Sequence, residues 1–385
     1  MFAIVMMMAI LSLMATDLFV PSLPALGHAM NQPVNTIQLT VTLFLLGFAV
    51  SQLFYGAVSD RLGRRPPIIV GTSLFVIGSL VCLLAQDFNW LCIGRIIQGI
   101  GAGAGLSLSR VILRDSYQGT ELAVKNSHLS IFFSISPAIA PCLGGFLQSW
   151  FGYRASFVFM FVYGVVLLFL VTFYLKESIQ HKHHTLSFIE VVKTYGEFLT
   201  NFMFMRYVLN AGMAFGAIIL YACIVPFIVQ DQLHLTAVDS GYILLMSTLG
   251  LTVTALVASK LVHRFHCYLL SKVGLLMLIS SGILLIITQL CFGTHLGIVV
   301  PLLFLASMSC GLLFPSSLTL AFAQIHTKIG IAGAVYGSIQ ITISVLINLV
   351  LNRITDQGQA VLGIFYVVMG LIGLALLLSK NNVDG

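Results

Sequence analysis

Charged residues are scarce in this chain. Only 8% of its 385 residues are Asp, Glu, Lys or Arg, whereas 59% are hydrophobic. A soluble domain carries about 25% charged residues, so this composition excludes an ordinary soluble protein. The apolar runs are about 20 residues long and do not alternate with polar positions, which favours membrane-spanning helices over the strands of a membrane barrel.

Motifs typical of metal proteins and nucleotide-driven pumps are also missing. The seven cysteines are scattered without a CxxC pair or a Cys/His cluster, so we expect packing residues rather than metal ligands or disulfides. His181, His183 and His184 have no carboxylate or thiol beside them, and we expect a solvated linker there. No G-x-x-x-x-G-K-S/T sequence occurs. We therefore expect no metal, no cofactor, no nucleic-acid partner and no direct use of ATP.

Polar and Gly/Pro clusters divide the chain into twelve predicted spans. These are residues 2–24, 37–58, 67–86, 90–113, 124–147, 153–175, 204–230, 239–262, 269–291, 297–323, 329–352 and 358–379. The longest polar stretch separates six spans from six. We predict an N-terminal six-helix half at 1–175, a cytoplasmic linker with an amphipathic helix at 176–203, and a C-terminal six-helix half at 204–385.

Basic residues are distributed unevenly around these spans. Apart from Arg95, Arg154 and Arg353, every Lys and Arg falls in or beside a loop that follows an even-numbered span, or in the C-terminal tail. Cytoplasmic loops carry such an excess of positive charge. We therefore expect a multi-pass protein of the bacterial inner membrane, with both termini in the cytoplasm.

The loop after the second span contains the sequence "GAVSDRLGRR" at residues 56–65. Its glycines permit close helix approach and a tight turn, and its charges can pair at a helix end or bind lipid headgroups. Basic residues alone are common in any cytoplasmic loop, but the complete pattern G-x-x-x-D-R-x-G-R-R is far more specific than the charges alone. The residues of interest are Gly56, Asp60, Arg61, Gly63, Arg64 and Arg65.

With two further motifs, this loop resembles the major facilitator superfamily. "RIIQGIGAGAG" at 95–105 resembles the R-x-x-Q-G motif of that family, and "SPAIAPCLGG" at 136–145 resembles the motif of its drug:proton antiporters. "TDLFVPSLPAL" and "RVILRDSYQG" are similar to the Bcr/CflA type of drug exporter. The resemblance implies an all-α integral membrane fold, with two six-helix halves of inverted repeats around a central cavity.

The resemblance also implies roles for particular residues. It assigns the gate and cytoplasmic latch to the loop motif together with Arg114 and Asp115, and the antiporter motif to Pro137, Pro141, Gly144 and Gly145. Two departures stand out. Ala140 replaces the glycine that usually precedes the second proline, and "SKLVHRFH" at 259–266 is only a worn copy of the loop motif. We therefore expect the latch mainly on the N-terminal half.

Asp17 is the one carboxylate well inside a predicted span, and Arg95 lies at a similar depth. The positions place them roughly 10 Å and 8 Å below the outer face. Loss of water favours a neutral carboxyl group, whereas a nearby guanidinium favours the charged form. Asp17 is thus predicted to take up and release a proton during transport, while Arg95 shifts the equilibrium between the charged and neutral forms of Asp17. A fixed ion pair between the two residues is the structural alternative. Pro21 and Pro24 should bend or loosen the outer end of this span.

A central cavity of mixed polarity is expected between the halves. We predict that its polar residues include Gln38, Gln98, Tyr221 and Gln340. A single polar residue of this kind more often connects two helices than contacts a ligand. The many Phe, Met and Tyr residues favour lipophilic or amphipathic substrates over sugars.

The sequence therefore predicts a monomeric, proton-driven exporter of small amphipathic molecules or drugs. Its partners would be a small-molecule substrate, protons and the lipid bilayer. An exporter dedicated to a siderophore or metabolite remains open, as does an uptake symporter, which should lack the Pro/Gly pattern of the fifth span. A membrane-embedded enzyme is disfavoured, because no catalytic dyad lies inside the membrane.

Overall fold

The computed structural model describes residues 1–178, 188–262, 264–323, 325, 329–355 and 357–379. The described part is helical and contains no strand. The histidine cluster at 181–184 and His263 lie outside the described residues.

Within the described residues, twelve helical segments are long and apolar enough to cross a membrane. The first eight helices are α1 (Phe2–Asp17), α2 (Leu23–Ala29), α3 (Val34–Ile37), α4 (Leu39–Leu62), α5 (Arg65–Leu84), α6 (Phe88–Ser116), α7 (Gly119–Phe151) and α8 (Ala155–Tyr174). The remaining helices are α9 (Phe188–Thr200), α10 (Phe202–Phe227), α11 (Ala237–Leu261), α12 (Cys267–Phe292), α13 (Leu296–Phe322), α14 (Ile329–Leu351) and α15 (Gln359–Leu378).

We call residues 1–178 the N-terminal half and residues 202–379 the C-terminal half. Because successive spans alternate in direction, the loops fall on two sides. The side that contains the start of α1 and the end of α15 is called the near side, and the opposite side the far side. That the two halves act as separate domains stays a prediction.

The first span is interrupted just after Asp17. Helix α1 ends there, a 3₁₀ turn follows at Val20–Ser22, and α2 completes the span. Pro21 lies in the 3₁₀ turn and Pro24 in the first turn of α2, where a missing backbone N–H costs little. The predicted irregularity at the far end of this span is confirmed, and it places the Asp17 side chain at a break in the helix.

Helix α6 is the packing centre of the N-terminal half. Glycines bring neighbouring backbones close to it: a Cβ on Gly47 of α4 would lie 2.6 Å from the Ile96 carbonyl oxygen, and one on Gly99 would collide with the Phe44 carbonyl. On the opposite side of α6, Gly94 lies against Cys82 of α5. Small residues are the usual means of close helix packing in membranes.

The two halves meet along two helix pairs, α4 with α14 and α7 with α11. In the second pair, a Cβ on Gly145 would lie 2.5 Å from the Ala237 carbonyl oxygen, and one on Gly241 would lie 2.8 Å from the Pro141 carbonyl oxygen. The backbones of α7 and α11 therefore touch directly near the far side.

Helix α9 links the halves on the near side. It packs against α10 and α14 of the C-terminal half. The Tyr195 hydroxyl donates a hydrogen bond of 2.9 Å to the Leu53 carbonyl oxygen of α4, in the N-terminal half. The Phe198 ring packs on Phe204 at the start of α10, with centroids 5.3 Å apart. The linker helix thus contacts both halves.

Candidate transport site

Asp17 lies at the boundary between the two halves. It is half-buried at the end of α1, and the 3₁₀ turn at Val20–Ser22 that follows it contacts α10 and α11 of the C-terminal half. At this boundary Tyr221 of α10 is buried and donates a hydrogen bond of 3.0 Å to the Leu244 carbonyl oxygen of α11. Among the described residues, the Asp17 side chain has no hydrogen-bond or ion-pair partner. It is an acid in a membrane span that no fixed contact holds.

Arg95 is fully buried inside the N-terminal half. Its Nε donates to the Thr40 carbonyl oxygen at 3.2 Å, and its two terminal nitrogens donate to the Ala15 carbonyl oxygen at 3.4 Å. The guanidinium lies between the rings of Phe19 and Phe44, 4.1 and 4.2 Å from their centroids. Carbonyl oxygens and aromatic faces thus stabilise this cation inside the protein.

Gln98 completes the environment of Arg95. Its Oε1 accepts a hydrogen bond of 2.5 Å from Arg95, and its Nε2 donates to the Ser79 hydroxyl at 2.8 Å. Gln98 is fully buried and also contacts the Met160 sulfur at 3.4 Å. In this conformation Gln98 supports the arginine rather than facing an open cavity.

Asp17 and Arg95 do not form an ion pair in this structure. They share depth, as the sequence predicts, but the hydrogen bonds of Arg95 go to Ala15, Thr40 and Gln98, and none of them reaches the Asp17 carboxylate. The fixed ion pair that the sequence left open is therefore not present in this conformation.

Arg64 organises the near-side loop between α4 and α5. It is buried and donates to Asp60 at 2.5 Å, to the Ser59 hydroxyl at 2.7 Å and to Asp115 at 2.8 Å. Burial disfavours its charged form, but the hydrogen bonds from Arg64 to Asp115 and Asp60 outweigh that cost, so the pKa of Arg64 lies above its ordinary value. The structure thus brings three of the predicted latch residues together.

Glu177 is a further residue of this cluster that the sequence reading missed. Its carboxylate accepts hydrogen bonds from the backbone N–H groups of Arg64 at 2.8 Å and Arg65 at 3.1 Å, at the positive end of α5. Gly63 has φ of 98°, and a Cβ there would lie 2.6 Å from a Glu177 oxygen. The position of Glu177 could have indicated this contact, because it is an acid directly after the sixth span in an otherwise basic region.

The other latch residues lie around this cluster. Arg65 donates to the Thr172 carbonyl oxygen at 2.5 Å. Arg114 is exposed, and its Nε lies 4.0 Å from an Asp115 oxygen. Arg61 is exposed, and a Cβ on Gly56 would have no neighbour within 4 Å. The hydrogen bonds of Arg64 and Arg65 thus connect the start of α5 with the end of α6, the end of α8 and the segment that follows α8.

The predicted antiporter motif lies where α1, α7 and α11 meet. Pro137 and Pro141 are inside a continuous α7. A Cβ on Gly144 would collide with the Leu18 carbonyl, directly after Asp17, while Gly145 faces α11 across the interface between the halves. The two glycines therefore allow α7 to approach both the break in the first span and the other half.

The remaining cavity candidates differ in their surroundings. Gln38 is fully buried and bonded across the two halves, as described below. Gln340 of α14 is half-buried. No group of three His, Cys, Asp or Glu residues within the described part of the chain has the arrangement of a metal site.

This helical architecture and its loop cluster agree with one family. The model of the Major Facilitator Superfamily matches residues 5–349, so the chain belongs to that superfamily of transporters. It is not an enzyme, since the relatives found are transporters.

The chain is similar along its length to two bacterial proteins. It is 29% identical over 375 residues to the uncharacterized MFS-type transporter YdgK of Bacillus subtilis, covering 95% of this chain and 92% of that protein. It is 27% identical over 367 residues to multidrug resistance protein D of Escherichia coli, covering 93% of this chain and 90% of that protein. Multidrug resistance protein MdtL of Shigella dysenteriae is 34% identical over 162 residues, 42% of this chain and 41% of that protein.

Among solved structures, the chain resembles a D-xylose–proton symporter. The TM-score is 0.75 at 16% identity, covering 97% of this chain and 96% of the symporter. At this identity the similarity shows the fold alone, which is that of a multi-pass transporter.

Proposed function

We propose that this protein is a proton-coupled exporter of small amphipathic molecules, with Asp17 as its coupling carboxylate. It works by alternating access as a monomer in the bacterial inner membrane, and its near side faces the cytoplasm. The observation that carries the proposal is the position of Asp17, half-buried at the boundary between the halves and without a hydrogen-bond or ion-pair partner among the described residues.

An acid in this position can respond to a change of conformation. A charged side chain inside a span costs roughly 2.5–3.5 kcal/mol on insertion scales, so a carboxylate without a cationic partner is stabilised by water or by taking up a proton. With the far side open, Asp17 takes up a proton and substrate is released. With the near side open, the proton leaves to the cytoplasm and substrate binds again. The proton gradient supplies the energy, and no cofactor takes part.

The direction of transport is supported by two observations. Gly144 and Gly145, within the motif similar to that of drug:proton antiporters, lie against the first span and the other half. Two of the relatives are named as multidrug resistance proteins. A siderophore or metabolite would be carried by the same machinery.

An uptake symporter is the second candidate. The fold is compatible with symport, because a D-xylose–proton symporter has the same fold. A symporter would also use an acid at the position of Asp17, but protons and substrate would cross in the same direction. Transport measured in vesicles of known orientation separates the two.

The decisive variant is Asp17→Asn, tested in inverted vesicles with an imposed pH gradient. We expect gradient-driven accumulation of a cationic amphipathic dye to fall at least tenfold, because the amide cannot release a proton. Exchange of labelled for unlabelled substrate should persist, since exchange does not need net proton movement. The matched control is Glu121→Gln, which makes the same chemical change at an exposed residue of α7.

Undiminished accumulation by Asp17→Asn would show that another group carries the proton. Accumulation only when the gradient is reversed would replace export by symport. If the parent protein accumulates none of a broad panel of drugs and siderophores under either gradient, the export proposal is wrong.

A further inference from the structure

The hydrogen bonds between the two halves are concentrated on the far side. All five that are described between residues 1–178 and 202–379 join the first two spans to the far ends of α10 and α14 or the segments that follow them. We call the side chains that make them the far-side clasp. It comprises Asn35, Gln38, Thr42, Gln230, Asn352 and Gln357.

Gln38 is at the centre of the clasp. Its Nε2 donates across the interface twice, to the Cys223 carbonyl oxygen at 3.0 Å and to Gln357 Oε1 at 2.7 Å. Gln38 and Cys223 are fully buried, and Gln357 is nearly so. Both N–H groups of one amide therefore bind the opposite half at a place that water does not reach.

The partner amide is oriented by its own half. Gln357 Nε2 donates to the carbonyl oxygens of Leu351 at 3.2 Å and Ile354 at 2.9 Å, and its backbone oxygen accepts from Gln232 at 3.3 Å. These contacts direct its Oε1 towards Gln38. Rotating either amide by 180° would oppose two acceptors or two donors, so the pair has one favourable arrangement.

Three other side-chain donors join the two halves on this side. Asn352 Nδ2 donates to the Thr42 hydroxyl at 3.1 Å, and Asn35 Nδ2 donates to the Asn352 carbonyl oxygen at 3.2 Å. Gln230 Nε2 donates to the Pro21 carbonyl oxygen at 2.9 Å, beside the break in the first span. All of these groups are neutral. One further polar contact joins the halves beside them, where His28 Nε2 lies 3.7 Å from an Asp231 oxygen.

Some hydrogen-bond acceptors of the clasp have no partner. Asn35 Oδ1, Gln38 Oε1 and Asn352 Oδ1 are buried without a hydrogen-bond partner. A buried acceptor without a partner destabilises the arrangement that buries it, because it has given up its water. Opening the far side would hydrate all three oxygens. The same residues therefore stabilise closure through their N–H groups and oppose it through their oxygens.

The clasp is adjacent to the proposed coupling site. The Pro21 carbonyl oxygen, which accepts from Gln230, lies in the 3₁₀ turn that follows Asp17. Within the N-terminal half, Arg95 binds the carbonyl oxygens of both Ala15 and Thr40, two residues from Asp17 and Gln38 respectively. The backbone beside Asp17 is thus linked to the clasp through Arg95 in one half and through Gln230 of the other.

We infer that Gln38 is the gating residue of the far side: its two hydrogen bonds to the opposite half must break before Asp17 is reached from that side. This inference rests on the proposed transport cycle for its role, but its test requires neither transport nor a proton gradient. It also gives Gln38 a different role from the substrate contact that the sequence suggested.

The test uses the reactivity of Cys223, a free and fully buried thiol beneath the clasp. The full-length protein is treated with a membrane-impermeant maleimide in right-side-out and in inverted vesicles, and alkylation of each cysteine is followed by peptide mass spectrometry. Cys291, exposed at the far end of α12, reports accessibility, and the buried Cys310 reports unfolding.

In Gln38→Met, we expect far-side alkylation of Cys223 to accelerate at least tenfold. The methionine has similar length but no donor, so Gln357 and the Cys223 carbonyl lose a buried partner that only opening can replace by water. The matched control is Gln289→Met, the same change in a far-side residue whose amide oxygen accepts from the Ala360 N–H within one half. It should stay within twofold of the parent.

A Gln38→Met rate equal to that of Gln289→Met, with Cys310 still protected, would overturn the inference. If Gln38→Met also exposes Cys310, it has unfolded, and Gln230→Met decides instead. Faster far-side labelling of Cys223 in that variant supports the clasp, and an unchanged rate refutes it. A failure of proton coupling in Asp17→Asn would leave these labelling rates unaffected, so the two proposals fail separately.

Discussion

At the scale of single residues, the two intramembrane charges have different surroundings. Arg95 is enclosed by backbone oxygens, an amide and two aromatic rings, while Asp17 is half-buried without a bonded partner among the described residues. A buried cation with several acceptors is a structural element that holds α1, α4 and α6 together. A carboxylate without such contacts is the group that we propose to carry the proton.

Arg95→Lys tests this difference. A lysine has one compact ammonium group and cannot replace the planar guanidinium between Phe19 and Phe44 while reaching the same acceptors. We expect the purified protein to lose thermal stability, since each hydrogen bond to a charged group contributes about 1.5–3 kcal/mol. Thermal unfolding in detergent measures the effect. Arg154→Lys, at an exposed arginine, is the control, and an equal melting temperature for the two variants would contradict the role of Arg95.

At the scale of helices, glycines decide where backbones meet. The first span breaks after Asp17, and Gly144 of α7 leaves room for the Leu18 carbonyl at this break. Gly63 serves another purpose: with φ of 98° it makes a turn that favours glycine and opens space for the Glu177 carboxylate at the start of α5. Both positions belong to motifs that are recognised in the sequence, but their contacts arise from other parts of the chain.

Gly144→Ala should disturb the junction of α1 and α7. The added methyl group collides with backbone rather than with a flexible side chain, and overpacking of this kind costs typically 1–3 kcal/mol. We expect a lower melting temperature and slower transport. Gly297→Ala adds the same methyl group near the start of α13, where no atom lies within 4 Å of it. If both variants behave as the parent does, α7 does not depend on this close approach.

At the scale of the whole molecule, the halves are held together on the far side and linked by α9 on the near side. The described inter-half hydrogen bonds all involve residues 21–42 of the N-terminal half, whereas the described bonds of the Arg64 cluster stay within that half. In the proposed orientation, with the near side in the cytoplasm, the far-side clasp would hold the transporter closed to the outside.

The orientation is tested with reporter fusions. The excess of Lys and Arg on the near side predicts that a green fluorescent protein at the C-terminus is fluorescent and that alkaline phosphatase there is inactive. Fusions placed after Gly293, in the far-side loop between α12 and α13, should give the opposite pair of results. Active phosphatase at the C-terminus would reverse the proposed orientation and therefore the direction of export.

The sequence by itself determined the membrane class, the twelve spans and the family. Spans of about 20 apolar residues are required by the thickness of the bilayer, and the three motifs are local, so neither depends on distant contacts. It also identified Asp17 and Arg95 as the charges of interest, because such residues are costly in lipid.

Only the tertiary structure decided which groups these charges meet. Arg95 binds neutral groups rather than Asp17, Glu177 joins the Arg64 cluster, and Gln38 bonds to the opposite half. Each contact joins residues far apart in the chain, and it depends on the rotation of a helix about its axis and on the approach of two halves. Those quantities follow from packing many side chains together, which no local pattern of residues contains.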